Sequence, residues 1–444
     1  MSSLDDTLAR LYARRTFGVK LGLESIELLL AKLGNPEQEL ACVHVAGTNG
    51  KGSVCAMLES ILGETGLRPG MYTSPHLVRF HERFRIAGRE IEDAELADLV
   101  EVVDEQANAV AAESGGREIT FFEFATAMAF EHFRRSSVRL VILETGLGGR
   151  LDATNVVTPL LSVITRIDLD HTQHLGPDIR TIAAEKCGII KPGRPVVCGA
   201  MPLDASDVVR SVARDRSAPF VDAEAIVSIE SVSCDLDGQK LRIASQEASY
   251  GTCRTPLIGL HQAENVATCI ATLEELGRAA GLEIGIQAVR EGLAALRWPA
   301  RFQVLSRDPV VILDGAHNPG GAVVLAASWR RVLKDTPMGL ILGRGSDRDD
   351  PDYLRAFAGL VKRCWTVPLG RGQGISPPAL AAATRAQGWD AKASSLDEAL
   401  PQAREWAAAN QAAVCITGSL YLAGEVLERF ADEARPRVDP VHPV

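Results

Sequence analysis

Short apolar runs alternate with amphipathic stretches along most of the chain. LACVHVA (40–46) is apolar on both faces and predicts a buried strand, followed by a glycine-rich loop and a helix from about Ser53 to Leu62. RLVILE (139–144) and LLSVIT (160–165) are further strand-length apolar runs, each stopping at a polar cluster. Helical periodicity occupies IEDAELADLVEVVDEQANAV (91–110) and TFFEFATAMAFEHFRR (120–135). Strands buried on both faces and separated by helices predict a mostly parallel sheet covered on both sides. Residues 220–255 differ: alternation around an Asp-Gly turn predicts an antiparallel hairpin added to this first domain.

A second series of strands begins near residue 300, with VVILD (310–314), GLIL (339–342), CWTV (364–367) and AVCIT (413–417) separated by helical patterns. RWPARF (297–302) lies before it, and Pro299 disfavours helix continuation. The expected division is therefore a first domain over 1–296 and a smaller α/β domain over 297–444. No internal repeat interrupts either series.

Composition narrows the function classes. The 444 residues are 46% hydrophobic and 23% charged, as in a globular protein. Their net charge of −10, without a Lys/Arg-rich run, argues against nucleic-acid binding. The nine cysteines are scattered without a C-x-x-C pair, which fits buried thiols in a reducing compartment better than disulfides or zinc. MSSLDDTLARLYARR at the start lacks the apolar core of a signal peptide, and no run reaches membrane-spanning length. The expectation is a soluble cytoplasmic protein without membrane partners.

The densest chemistry lies in HVAGTNGKGSV (44–54). A strand enters Gly47-Thr48-Asn49-Gly50-Lys51-Gly52-Ser53 and a helix leaves it. Such glycines turn backbone N–H groups toward phosphate oxygens, and the helix N-terminus adds partial positive charge. Lys51 would reach the terminal phosphates, with a hydroxyl at the helix start near Mg²⁺. The usual G-x-x-x-x-G-K-[ST] spacing is not met, because Val45 occupies its first glycine position and Gly52 follows the lysine.

Other positions are open on residue type alone. Glu144 at a strand end suits a solvated acid as well as a ligand, and His171 in Asp168-Leu169-Asp170-His171 suits a surface loop. Lys186, near a predicted helix end, reads as solvated. Phe122 could stack on a flat ring or fill the core. Asn318 before Pro319 fits a helix N-cap, His44 a buried hydrogen-bonded histidine and His132 a helix surface. His442 lies in a polar tail.

The G-T-N-G-K-G-S loop resembles the ATP loop of the Mur ligase superfamily, and within it the folylpolyglutamate synthase/dihydrofolate synthase family. FGVKLGLESIELLLAKLGNP (17–36), MYTSPHLVRFHERFRI (71–86), ETGLGGRLDATN (144–155), DLDHTQHLG (168–176), AAEKCGIIKPG (183–193), GLHQAENV (259–266), RWPARF (297–302), DGAHNPGG (314–321) and TGSLYLAGEV (417–426) are similar to that family's blocks, in its order. The resemblance implies an α/β fold: a P-loop Mur-ligase-like central domain with a mostly parallel sheet, and a smaller Rossmann-like C-terminal domain. It implies an ATP-dependent ligase that adds L-glutamate to dihydropteroate, to the γ-carboxylate of a folate, or to both. The carboxylate would be activated as an acyl phosphate, with positive charge offsetting the meeting of two anions.

By the same resemblance, Ser74, Glu144, His171 and Lys186 match metal-site positions serving two Mg²⁺ ions. Lys186 would be carbamylated by CO₂, which requires its neutral amine. With Lys51, the residues Glu144, His171 and Lys186 form the implied catalytic set. Asn265, Arg301, Asp314 and His317 match nucleotide-binding positions, so that ATP would touch both domains. Asp152 and Ala153 match positions on the pterin side and Phe122 gains support there, while His76 and Arg83 are candidates near the acceptor or the incoming glutamate. A monomer is expected. The competing readings are another Mur-type ligase acting on a cell-wall precursor and a non-catalytic nucleotide-controlled switch.

Overall fold

The computed structural model describes residues 4–14, 22–346, 351–370 and 374–434. Residues 17–21 of the first resembling block, and His442, lie outside that set. The chain divides into two units: Met1–Pro75, His81–Pro256 and Leu260–Trp298 form the first, while His76–Phe80, Leu257–Gly259 and Pro299–Val444 form the second.

The first unit carries an eight-stranded sheet. Its strands are β1 (Ala41–Ala46), β2 (Gly70–Tyr72), β3 (Phe84–Ile86), β4 (Arg89–Glu90), β5 (Leu140–Glu144), β6 (Leu161–Ile164), β7 (Val196–Cys198) and β8 (Phe220–Asp222), ordered β4-β3-β2-β5-β1-β6-β7-β8. β2, β5, β1, β6, β7 and β8 pair in parallel, and β3, antiparallel to both β2 and β4, is the one strand of this sheet that runs the other way. β1 is central and its neighbours β5 and β6 continue in opposite directions across the sheet. Its carboxyl end is therefore a switch point, the place where open α/β sheets offer a crevice to ligands. The loop after β1 and the ends of β5 and β6 share that edge.

The predicted hairpin is a three-stranded antiparallel sheet, β9 (Val227–Asp235), β10 (Gly238–Ser245) and β11 (Ser249–Thr255). Asp235 pairs with Gly238, so the tight turn is Leu236-Asp237, one residue earlier than the Asp-Gly expectation. The helix of the phosphate loop begins at Lys51 rather than Ser53 and runs to Glu64.

The predicted helix surface at His132 is corrected. Its side chain is 3% exposed, and Nδ1 lies 2.8 Å from Glu95 Oε1. The helix Phe121–Arg135 packs on Asp93–Glu113, and this face of it is covered. Burial also lowers the His132 pKa against the opposing pull of Glu95.

In the second unit, β12 (Gln303–Arg307), β13 (Val310–Leu313), β14 (Met338–Leu342), β15 (Val361–Thr366), β16 (Asp390–Ala393) and β17 (Ala413–Thr417) form a sheet ordered β12-β13-β17-β14-β15-β16. Only β12 is antiparallel. Val311, Leu313, Ile341, Val414 and Ile416 from three of its strands are buried in one core cluster with Leu396, Leu400 and Leu422. Strand β15 starts at Val361, three residues before the apolar run that predicted it, because its outer end alternates toward solvent.

Candidate active site

The loop after β1 folds back onto the end of β6. Thr48 and Asn49 donate their backbone N–H groups to the Arg166 carbonyl at 2.8 and 3.2 Å. The Thr165 hydroxyl donates to the Asn49 carbonyl at 2.8 Å. Asp168 holds the loop from outside: Asn49 Nδ2 donates to its carboxylate at 2.8 Å and Thr48 Oγ1 to its carbonyl at 3.0 Å, while Arg166 Nε pairs with the same carboxylate. Gly50 has φ +91°, and a Cβ there would lie 2.5 Å from Asn265 Oδ1. Only glycine combines that backbone with so close a neighbour. Asn265, on the helix Leu260–Ala280, is thus placed against the loop, with its amide nitrogen donating to Gln262 Oε1. Ser53 is buried in the first turn of the helix Lys51–Glu64, and Gly52 lies under the Trp298 indole.

Two lysines meet at one carbonyl. Lys51 Nζ donates to Gly47 O at 3.0 Å, and Lys186 Nζ donates to the same oxygen at 2.8 Å. Lys186 ends the helix Ile179–Lys186 and is 4% exposed, not solvated. Burial, reinforced by the Lys51 charge, brings its pKa down to about 7. Nearly half of this amine is then neutral near pH 7, against roughly one part in several thousand for an ordinary lysine.

Glu144, the last residue of β5, is 5% exposed. One carboxylate oxygen accepts the Ser74 backbone N–H at 3.1 Å and the other lies 3.9 Å from Lys51 Nζ. Hard divalent cations favour oxygen donors, and the Glu144 carboxylate fits that preference. His171 is placed on the loop after β6 with φ +48°, its backbone N–H donating to Asp170 Oδ1 at 2.8 Å. The structure thus joins Lys51, Lys186, Ser74, Glu144 and Asn265 around the loop, with His171 positioned by Asp170.

Asp152 is buried beside the turn after β5. It accepts the Leu147 N–H at 2.8 Å, the Thr154 N–H at 3.0 Å and the Thr154 hydroxyl at 2.5 Å. Burial raises its pKa against those donors. Ala153 is buried next to it. Phe122 is half-buried, 6.2 Å from the Tyr72 ring, with its edge against Gly146. Arg83 is buried with its guanidinium 5.3 Å from the centre of the Phe121 ring.

His76 groups with the second unit, where it makes an edge contact with Phe80 at 5.7 Å. In that unit Asp314 follows β13 and is buried. Its carboxylate accepts the Phe302 N–H at 2.7 Å and the Ala316 N–H at 2.8 Å. Burial raises its pKa and Arg301 opposes the rise. Arg301 Nη1 donates to the Ala300 carbonyl, and His317 Nδ1 lies 2.9 Å from the Gly315 carbonyl. Asn318 caps the next helix by accepting the Gly321 N–H, as expected.

Sequence reasoning missed several residues. Asp168 lies in DLDHTQHLG (168–176), but its spacing to Asn49 carries no signal of a shared role. Thr165 and Trp298 were likewise silent. In the second unit, the Tyr353 hydroxyl donates to the Ala316 carbonyl and the Arg344 guanidinium stacks 3.8 Å over the Tyr353 ring.

Comparison with known proteins gives the family. The profile of the Mur ligase middle domain matches residues 45–273, and that of the Mur ligase glutamate ligase domain matches 300–420. The dihydrofolate synthase/folylpolyglutamate synthase of Bacillus subtilis is 38% identical over 370 residues, covering 82% of this chain and 84% of that protein. The chain belongs to the folylpolyglutamate synthase/dihydrofolate synthase family. The Escherichia coli member is 34% identical over 92% of this chain and 91% of its own length. A solved FPGS–AMPPCP–folate complex matches with a TM-score of 0.85 at 32% identity, covering 96% of this chain and 99% of that one. The Mycobacterium tuberculosis folylpolyglutamate synthase complexed with ADP matches with a TM-score of 0.90 at 28% identity, over 96% and 99%. Among the described residues no helix is long and apolar enough to cross a membrane.

Proposed function

We propose that this chain is an ATP-dependent ligase that joins L-glutamate to dihydropteroate, to the γ-carboxylate of a folate, or to both, releasing ADP and phosphate. The observation that carries this reading is the convergence of Lys51 and Lys186 on the Gly47 carbonyl, with Glu144 beside Lys51. A cationic loop at the switch point of a parallel sheet suits a triphosphate, and family membership supplies the acceptor class.

In this reading the loop amides and Lys51 hold the phosphates. The acceptor carboxylate attacks the γ-phosphorus as the bond to the ADP oxygen breaks. Glutamate nitrogen then attacks the acyl phosphate carbonyl, phosphate leaves and the amine proton is released. Ser74, Glu144, His171 and a carbamylated Lys186 would hold two Mg²⁺ ions. When bound, Mg²⁺ supplies positive charge that offsets repulsion between carboxylate and triphosphate. The low pKa of Lys186 supports carbamylation: its neutral nitrogen bonds to the carbon of CO₂ and one proton departs. Asn265, Arg301, Asp314 and His317 contact the nucleotide, with functional domains divided as 1–296 and 297–444. Phe122, Asp152 and Ala153 face the pterin, and His76 and Arg83 lie near the acceptor or glutamate. The reading is that of a monomer. The nine free cysteines, buried except Cys234, support a cytoplasmic location.

The test is phosphate release with ATP and Mg²⁺, with or without glutamate, using dihydropteroate or tetrahydrofolate in turn. Release only when acceptor and glutamate are both present, with the amide product seen by mass, is the expected result. Hydrolysis indifferent to both would overturn the ligase.

A further inference from the structure

We infer that His44 and Thr154 are positioning residues for the ligase reaction, forming a buried relay that ties the Asp152 carboxylate to the strand entering the phosphate loop. This rests on the reading of Asp152 as an acceptor-binding residue. His44 lies in β1, paired in register with Leu143 of β5 and Ser162 of β6. Its Nε2 is 2.8 Å from Thr154 Oγ1, and Thr154 Oγ1 is 2.5 Å from Asp152 Oδ1.

Proton counting fixes the direction of the relay. A carboxylate accepts only, so the single hydroxyl proton of Thr154 goes to Asp152. The threonine oxygen then accepts from His44, whose ring must carry its proton on Nε2. His44 is fully buried and burial, helped by Lys191, brings its pKa down to about 3, so the ring is neutral and has one N–H to give. The other ring nitrogen is buried and makes no hydrogen bond to the protein. An imidazole oriented by one bond inside a sheet is a costly way to fill a strand position that Val or Ile would fill with no polar atom to satisfy.

The relay joins two regions far apart in sequence. His44 is three residues ahead of Gly47, so its backbone is part of the rigid base of the phosphate loop. Thr154 and Asp152 belong to the segment after β5, where Asp152 also accepts the Leu147 N–H. Acyl transfer to phosphate requires the acceptor carboxylate and the γ-phosphorus at contact distance, and small errors in that spacing are expensive. The His44–Thr154 bond sets it from within the protein, without touching either substrate.

The test compares Thr154→Val, Thr154→Ser, His44→Leu, His44→Gln and Asp152→Asn. Rates are measured with dihydropteroate and with tetrahydrofolate, and the KM of acceptor and of ATP are read separately. Losing a hydrogen bond to a charged group corresponds to about a tenfold change. Thr154→Val and His44→Leu are expected to raise acceptor KM about tenfold while ATP KM stays unchanged, and Thr154→Ser and His44→Gln are expected to restore it. The ¹⁵N spectrum of the His44 ring should show the Nε2–H tautomer in the wild type and in Thr154→Ser, and a tautomer mixture in Thr154→Val. A raised acceptor KM in Asp152→Asn with none in Thr154→Val overturns the relay alone. An unchanged acceptor KM in Asp152→Asn overturns the acceptor reading of Asp152 on which the relay stands. Equal rises in both KM values, or a fall in unfolding temperature with neither KM moved, assign the pair to stability and likewise overturn the proposal.

Discussion

The tightest point of the phosphate loop is the approach of Gly47 to Thr165. A Cβ on Gly47 would lie 1.9 Å from Thr165 Oγ1 and 3.1 Å from Thr165 Cβ. Gly47→Ala therefore expels the threonine hydroxyl from its bond to the Asn49 carbonyl. Overpacking of this kind costs about 1–3 kcal/mol, and displacing a phosphate-binding loop by about 1 Å lowers kcat/KM for ATP by roughly 100-fold. Thr165→Ala alone removes one hydrogen bond, about 1 kcal/mol. In the double variant the nearest side-chain atom at position 165 is the Cβ at 3.1 Å, a contact that a shift of a few tenths of an ångström relieves, while the strain of a side chain at φ +157° persists and keeps the recovery partial. The two changes should then be non-additive: the double variant recovers about tenfold in kcat/KM over Gly47→Ala, about 1.4 kcal/mol, and with the roughly 1 kcal/mol that Thr165→Ala costs alone the coupling is about 2.4 kcal/mol. Phosphate release at varied ATP, with acceptor and glutamate saturating, measures the cycle, and urea unfolding separates loop displacement from loss of fold. Wild-type kcat/KM in Gly47→Ala, or a double variant equal to the product of the singles, would refute the claimed packing of loop on strand.

Three further outcomes are expected. Lys186→Ala should abolish turnover while equilibrium binding of ATP stays within a few-fold of wild type; near-normal turnover would remove the carbamate–metal reading. Asp168→Ala strips Asn49 and Arg166 of a common acceptor, so ATP KM should rise about three- to tenfold at nearly unchanged acceptor KM, and an unmoved ATP KM would show the clamp to be irrelevant. His44 gives an acid-stability effect of defined sign. Its pKa falls from 6.5 in the unfolded chain to about 3 when folded, so the unfolded state binds more protons between those values and stability is lost as pH falls through that window. Near pH 5 the loss is about 2 kcal/mol, and urea unfolding of His44→Gln against wild type should show that pH-dependent component vanish.

Local signals explain what could be read ahead of the fold. The strand LACVHVA, the Gly-Lys turn and the following helix are contiguous, and each depends on neighbours a few residues away. The Asn318–Pro319 cap is equally local, because its bond closes on Gly321. The hairpin around Leu236-Asp237 was anticipated in kind but one residue off in its turn, since the register is set by pairing along two whole strands. Family resemblance added residue roles that no spacing could supply.

By itself, then, the sequence determined the alternation of buried strands and helices, the phosphate loop and the family. Tertiary structure decided which side chains share that loop. Lys186 reads as solvated from its neighbours, yet folding buries it against Gly47 O, 139 residues away, and that burial, with Lys51 beside it, brings its pKa down. Asp168 acquires its partners in the same way, and His132 loses its water because an adjacent helix covers it. The physical reason is common to all three. Helix and strand preferences act over about one turn of chain, whereas desolvation and cross-chain hydrogen bonds depend on which elements the sheet order makes neighbours.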